Sequence, residues 1–215
     1  MKSLAILLIC AAVPAWAGII VDIEGAAAGQ FALSNSFSSE EGWFSPLGYD
    51  NVSIAPWLVN LSGNPLQMTY FLTTSIGPGT TISDQVSSGN FTLPAGFSDF
   101  DTVVSGLTLG PGSYFLSFLN SCPGTQLCAG WEIQGLLGAS TILGPGVTVS
   151  AGQTGVGGPF APYFPATQFF NFPENGLLQL RVDSIPEPSA FWPFSMGLVA
   201  MAITAAFRRL RIRAN

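Results

Sequence analysis

Carboxylates and aromatic rings are the side chains of this chain that could do chemistry, because it contains no histidine. Ser-His-Asp and Cys-His mechanisms need an imidazole base and are excluded. Of the 12 acidic residues all but Glu187 lie within residues 18–185, and of the 6 Lys and Arg only Arg181 does. Such an acidic field excludes nucleic acid as a partner and leaves neutral sugars and divalent cations. Asp99 and Asp101 are two residues apart, so on a strand both point to one face, about 7 Å apart. A glycosidase places two carboxylates at comparable separation, but on opposite sides of a sugar bond. Same-face neighbours are better placed to share one Ca²⁺. Asp99 and Asp101 are therefore the candidate metal ligands, against the plainer reading of a solvated strand edge. Asp22 and Glu24 form a similar same-face pair, whereas Glu40 and Glu41 are adjacent and diverge on a strand.

Trp43, Trp57 and Trp131 are the tryptophans of this central region. An exposed indole is a platform on which the C–H face of a sugar ring packs, and a buried one is core. Both readings stand for each of the three. Residues 159–173 combine Phe160, Tyr163, Phe164, Phe169, Phe170 and Phe172 with several prolines. The prolines bar a central strand, leaving either a loop over one end of the core or an exposed apolar surface.

The two ends of the chain decide where this chemistry is placed. Residues 1–17 carry Lys2, an apolar run at 4–13 and the small-x-small ending Ala15-Trp16-Ala17. That is the form of a secretory signal peptide cleaved between Ala17 and Gly18. At the other end, Pro186-Glu187-Pro188-Ser189 precedes an uncharged apolar run at 190–207, followed by Arg208, Arg209, Arg211 and Arg213. As a helix the run spans about 27 Å, near the thin limit for crossing a bilayer. The arginines hold its far end in the cytoplasm. In an exported chain, Cys122 and Cys128 form a close pair around Pro123-Gly124 and read as a disulfide. Closing so short a loop stabilises the fold by roughly 2 kcal/mol.

A Pro-Glu-Pro, a short span and an arginine cluster, in that order, resemble the PEP-CTERM sorting signal of bacteria. The resemblance covers only 186–215. It implies recognition of Pro186, Glu187 and Pro188 by an exosortase, a membrane-embedded cysteine enzyme that processes the tail near the motif. It also implies a link to extracellular polysaccharide and the cell surface. The same tail occurs on some proteins described as ice-binding, which assigns no such activity to this chain.

The region between the ends reads as β throughout. Strands are expected at 19–24 (Ile19, Val21 and Ile23 inward), at 49–61 with a bulge or edge at Pro56, and at 66–76 with Met68, Tyr70 and Leu72 on one face. Residues 100–109 and 113–119 suggest one hairpin and 141–150 another, with a strand at 130–136 between them. The last strand, 176–183, points Leu178, Leu180 and Val182 inward and Gln179, Arg181 and Asp183 outward. Gly-Pro-Gly recurs at 77–79, 110–112 and 144–146, and Pro second with Gly third suits a type II turn. Many short strands with regular turns predict an all-β, β-sandwich or jelly-roll ectodomain at 18–185. The signal peptide at 1–17 precedes it and the sorting tail with one transmembrane helix follows it at 186–215. The expected function is that of an exported, non-enzymatic cell-surface or extracellular-matrix protein with a structural or interaction role, carrying no cofactor. The alternatives are a carbohydrate-binding module, with or without Ca²⁺, and a carboxylate-only glycosidase.

Overall fold

The structure is a computed structural model that describes residues 18–33, 37–77, 79–120, 127–150, 153–156, 168–171 and 176–184. The expected signal peptide at 1–17, the expected sorting motif at 186–188, the candidate span at 190–207 and Cys122 lie outside the described residues. Residues Gly18–Ile185 cluster as one unit. The described residues are nearly all β, in two antiparallel sheets, the arrangement of a β-sandwich.

The first sheet is built along one long strand, β4 (Tyr49–Asn60). One edge of β4 pairs with β15 (Leu180–Ser184) and then with β10 (Ala129–Gln134). Its other edge pairs with β8 (Val104–Leu109) and then with β7 (Ser98–Phe100). Beyond β15 lie β1 (Gly18–Glu24) and β11 (Ser140–Leu143), and beyond β10 lies β2 (Ala27–Leu33). The second sheet runs β14 (Gln168–Asn171), β13 (Gln153–Val156), β3 (Phe37–Ser45), β9 (Gly112–Asn120), β5 (Leu66–Thr73), β6 (Gln85–Leu93). The short β12 (Thr148–Val149) also pairs with β3.

Pro56 sits inside a paired strand, which proline normally avoids because it cannot donate to the ladder. Its carbonyl accepts from the Asp101 N–H, so its missing N–H faces the same side, between the end of β7 and the start of β8. No ladder bond is lost there. Pro56 does not shift the pleat either. Val52, Ile54, Pro56 and Leu58 all point inward, and Trp57 points outward with its flank half-covered. The bulge or edge expected at Pro56 is thus corrected to a position inside the ladder.

A bulge at Ile19/Val21 makes a second correction. It turns Ile19 outward and leaves Ile20, Val21 and Ile23 buried. In β5, Met68, Tyr70 and Leu72 share the inward face as expected, with Tyr70 half-buried. Leu178, Leu180 and Val182 are fully buried, but Gln179 is buried as well, not outward. Its side-chain oxygen accepts from the Gly25 N–H, and its backbone carbonyl accepts from Trp57 N–H and from the Trp131 indole.

Neither expected hairpin forms. β8 belongs to the first sheet and β9 to the second, so Gly110-Pro111 is a corner between sheets. The same holds at Gly144-Pro145-Gly146, between β11 and β12. The type II expectation holds at Gly146, whose φ is 72, with a Val147 N–H to Gly144 O bond closing the turn. It fails at Gly112, which has no positive φ and starts β9. Within 159–173, β14 forms at the end of its sheet, in keeping with the bar on a central strand.

The two inner faces interlock through large side chains. Trp131 from β10 meets Phe118 from β9 edge to face at 5.1 Å, and Phe118 in turn meets Phe91 at 6.0 Å. Aromatic pairs in this geometry add about 0.5–1.5 kcal/mol beyond the area they bury.

A candidate binding surface on the first sheet

Alternation along three neighbouring strands brings a mixed cluster to the outer face of the first sheet. β1 contributes Asp22 and Glu24, β15 contributes Arg181 and Asp183, and β4 contributes Trp57. Asp22 lies directly opposite Arg181, and Trp57 directly opposite Phe100 of β7. The Arg181 Nε donates to Glu24 Oε1 at 2.6 Å, and its Nη2 donates to the same oxygen. Asp22 Oδ1 lies 3.6 Å from the same Nε. The guanidinium carbon sits 3.9 Å above the centre of the Phe100 ring, a cation–π contact. Trp57 meets that ring at 5.0 Å and 68°, and its indole N–H donates to Ser98 Oγ.

The electrostatics follow from this crowding. Burial and the neighbouring Glu24 raise the Asp22 carboxyl to about 6, against a smaller opposing pull from Arg181. Burial also raises Asp183, again partly offset by Arg181. One cation thus serves three carboxylates and an aromatic ring. The result is a patch with an indole edge, hydrogen-bonding carboxylates and no surplus of positive charge.

Asp99 and Asp101 do not share the regular pleat that would align them. β7 ends at Phe100, and Asp101 lies beyond it with its N–H bonded to Pro56 O. Asp99 is exposed and its Oδ1 accepts from the Phe100 N–H at 2.7 Å. Burial raises the Asp101 carboxyl. Among the described residues no group of three or more metal-ligating side chains gathers, at this pair or elsewhere.

Two of the three tryptophans are corrected as sugar platforms. Trp131 has no exposed surface and donates its indole N–H to Gln179 O at 2.8 Å. Trp43 is 2% exposed and packs on Tyr114. Only Trp57 keeps part of its ring at the surface. Cys128 is buried at the head of β10, and its expected partner Cys122 falls outside the described residues.

Glu41 was read only as one of two diverging acids. It is fully buried between the sheets, and the Leu178 N–H donates to its Oε2 at 2.7 Å. Its Oε1 has no hydrogen-bond partner among the described residues. Burial raises its carboxyl well above the usual range, more than the Leu178 and Gly42 N–H groups lower it. The signal was present in Ser39-Glu41-Trp43, a period-two run ending in a tryptophan, which belongs to one inward face. Phe100, the ring at the centre of the surface cluster, carried no such signal, because its role depends on a contact with Arg181 far along the chain.

No protein-family model matches the chain, and no curated protein matches it either.

Proposed function

We infer that this chain is an exported, non-enzymatic β-sandwich carried to the cell surface or extracellular matrix by a PEP-CTERM tail, where it serves a structural or interaction role. One observation carries most of the weight. Gly18, the residue after the proposed signal-peptidase site, pairs with Ser184, two residues before Pro186. The folded sheet therefore begins and ends beside the two proposed processing sites, and either cut spares its strands. The test is intact mass of the protein from a host with a matching exosortase. The expected mass lacks residues 1–17 and everything beyond the Pro186-Glu187-Pro188 region. A product that keeps Arg208–Arg213 would mean a plain membrane anchor instead. The same mass, taken before and after reduction and alkylation, tests the Cys122–Cys128 disulfide, which predicts two alkylated thiols only after reduction.

A second reading, a carbohydrate-binding module with or without Ca²⁺, is favoured by the half-exposed Trp57 beside Phe100, Arg181 and the acids. Retention of the full chain on the host's extracellular polysaccharide, compared with Trp57→Ala, tests it. Loss of retention in that variant supports sugar binding at this face. Loss with chelator alone would turn attention to Asp99 and Asp101. Turnover of the polysaccharide, abolished by Asp99→Asn or Asp101→Asn, would instead favour the carboxylate-only glycosidase.

A further inference from the structure

Edge strands usually carry a device that blocks pairing with another chain, such as a lysine, a proline or a bulge. β6 (Gln85–Leu93) lies at the end of the second sheet and pairs, among the described residues, only with β5. Its one irregularity falls between Leu72 and Thr73 of the partner strand, leaving Val86 as the extra residue. From Ser87 to Leu93 the register is unbroken and every residue has a partner on β5. That run, Ser-Ser-Gly-Asn-Phe-Thr-Leu, has no charge and no proline. Its exposed face is already ordered. Thr69 Oγ1 donates to Asn90 Oδ1 at 2.7 Å, and Gln67 Nε2 donates to Thr92 Oγ1 at 2.7 Å. A partner strand would meet side chains whose rotamers are held in advance, which lowers the cost of association.

The chain's charge selects the occupant. At a formal net charge of −6, two copies repel over most of their surfaces. Along β6 they do not. Antiparallel pairing of two copies about a two-fold axis at Asn90 sets Asn90 against the partner's Asn90 and Ser88 against the partner's Thr92. It sets Gly89 against the partner's Phe91 and Ser87 against the partner's Leu93. Each pair keeps its face, because the offset across the axis is even. Thr69 occupies Asn90 Oδ1, so the amide nitrogen is left to donate across the axis. The nearest acid, Asp84, falls opposite Gly96 and not opposite another acid. Phe91, half-buried on Phe118, gains cover from the partner's glycine position.

We propose that β6 is a self-association edge, through which two copies of this chain join their second sheets antiparallel about Asn90. A single strand pair is a small interface, in the class that gives weak association. Such contacts act where the chain is held at high local concentration, as on a crowded surface. The proposal stands independently of the sorting tail.

The test is disulfide trapping of the full chain in detergent micelles under mild oxidation, read on non-reducing gels. Wild type sets the background from its own cysteines. Asn90→Cys lies on the axis and is expected to yield covalent dimer at least about tenfold above wild type, since directly opposed Cα atoms fall within disulfide reach. Ser88→Cys alone is expected to stay near background, because the two copies of residue 88 lie about 13 Å apart along the strands. Ser88→Cys with Thr92→Cys restores the cross-link. All three positions are at the surface of an edge strand, so the variants keep the core intact. Asn90→Cys at background, or Ser88→Cys cross-linking as strongly as Asn90→Cys, overturns the proposal.

Discussion

Glu41 and Asp22 both hold their protons more tightly in the fold than an ordinary carboxyl does, and for the same first reason, burial. The sign of the consequence follows. Below pH ~3 both groups are protonated whether the chain is folded or not, and neither costs anything. As pH rises from 3.8 towards 6, the unfolded chain releases the Asp22 proton while the folded chain keeps it, so stability falls. The slope is at most about 1.4 kcal/mol per pH unit. Glu24, Arg181 and Asp183 all act on the Asp22 carboxyl, so the loss depends on the cluster around it. Asp22→Asn is expected to be more stable than wild type at pH 7 by about 1 kcal/mol, and to flatten the fall between pH 4 and 6, in thermal melts taken across that range. Glu41 adds a fall in the same direction that starts at its ordinary 4.5 and continues higher. Glu41→Gln keeps an acceptor for the Leu178 N–H and cannot ionise, so it should match wild type in acid and exceed it at pH 8. Glu41→Ala leaves that N–H buried and unpaired and should cost about 2–4 kcal/mol in acid, and less at pH 8, where wild type has itself lost stability through the Glu41 carboxyl. Equal losses in both variants would mean that the carboxyl, not an acceptor of its shape, is what the site needs.

The Gly-Pro-Gly elements show how far a motif can be read before the fold is known. Three copies looked alike in the sequence. At 77–79 and 144–146 an N–H bonds back across the motif, from Thr80 to Gly77 O and from Val147 to Gly144 O, whereas 110–112 only bends into β9. Two of them are corners that carry the chain from one sheet to the other, a distinction that depends on which strands lie nearby and not on the turn residues. Their backbones also differ. Gly146 has φ 72, and a Cβ there would meet Pro46 Cγ at 2.8 Å, whereas a Cβ on Gly112 would meet nothing nearer than the Tyr114 hydroxyl at 3.9 Å. Gly146→Ala should therefore destabilise by about 1–3 kcal/mol, and Gly112→Ala by less than about 0.5, in denaturant titrations. Strands with clean alternation, such as 66–73 and the Leu178-Leu180-Val182 row, were legible because one face is core. β2, β3 and β6 were not identified. Their runs (Ala-Ala-Gly-Gln, Ser-Ser-Glu-Glu, Ser-Ser-Gly-Asn) are polar or small, and they become strands because neighbours supply hydrogen bonds. Pro56 was misread for the opposite reason. It read as a bulge or an edge, but the neighbours change on both sides of it and the pleat runs through.

At the scale of the whole molecule, the order in which strands are assembled matters more than any one of them. β15 is late in the chain yet lies between β1 and β4, in the middle of the first sheet. The first sheet cannot close its core until residues 177–184 arrive. Leu178, Leu180 and Val182 are each fully buried, and burying such side chains contributes about 1.5–3 kcal/mol apiece. The same segment supplies the N–H that Glu41 accepts and the carbonyl that the Trp131 indole and Trp57 N–H donate to. Losing it would strand one buried carboxyl and one buried indole at once. A stop codon after Asn175 should thus abolish cooperative unfolding and the near-UV circular dichroism of the buried tryptophans. A stop after Ile185 should preserve both, because every described strand is then present. The pair of truncations separates the sandwich from its tail. If the shorter chain still melts cooperatively, the first sheet closes without β15, and the late central strand is not what completes the fold.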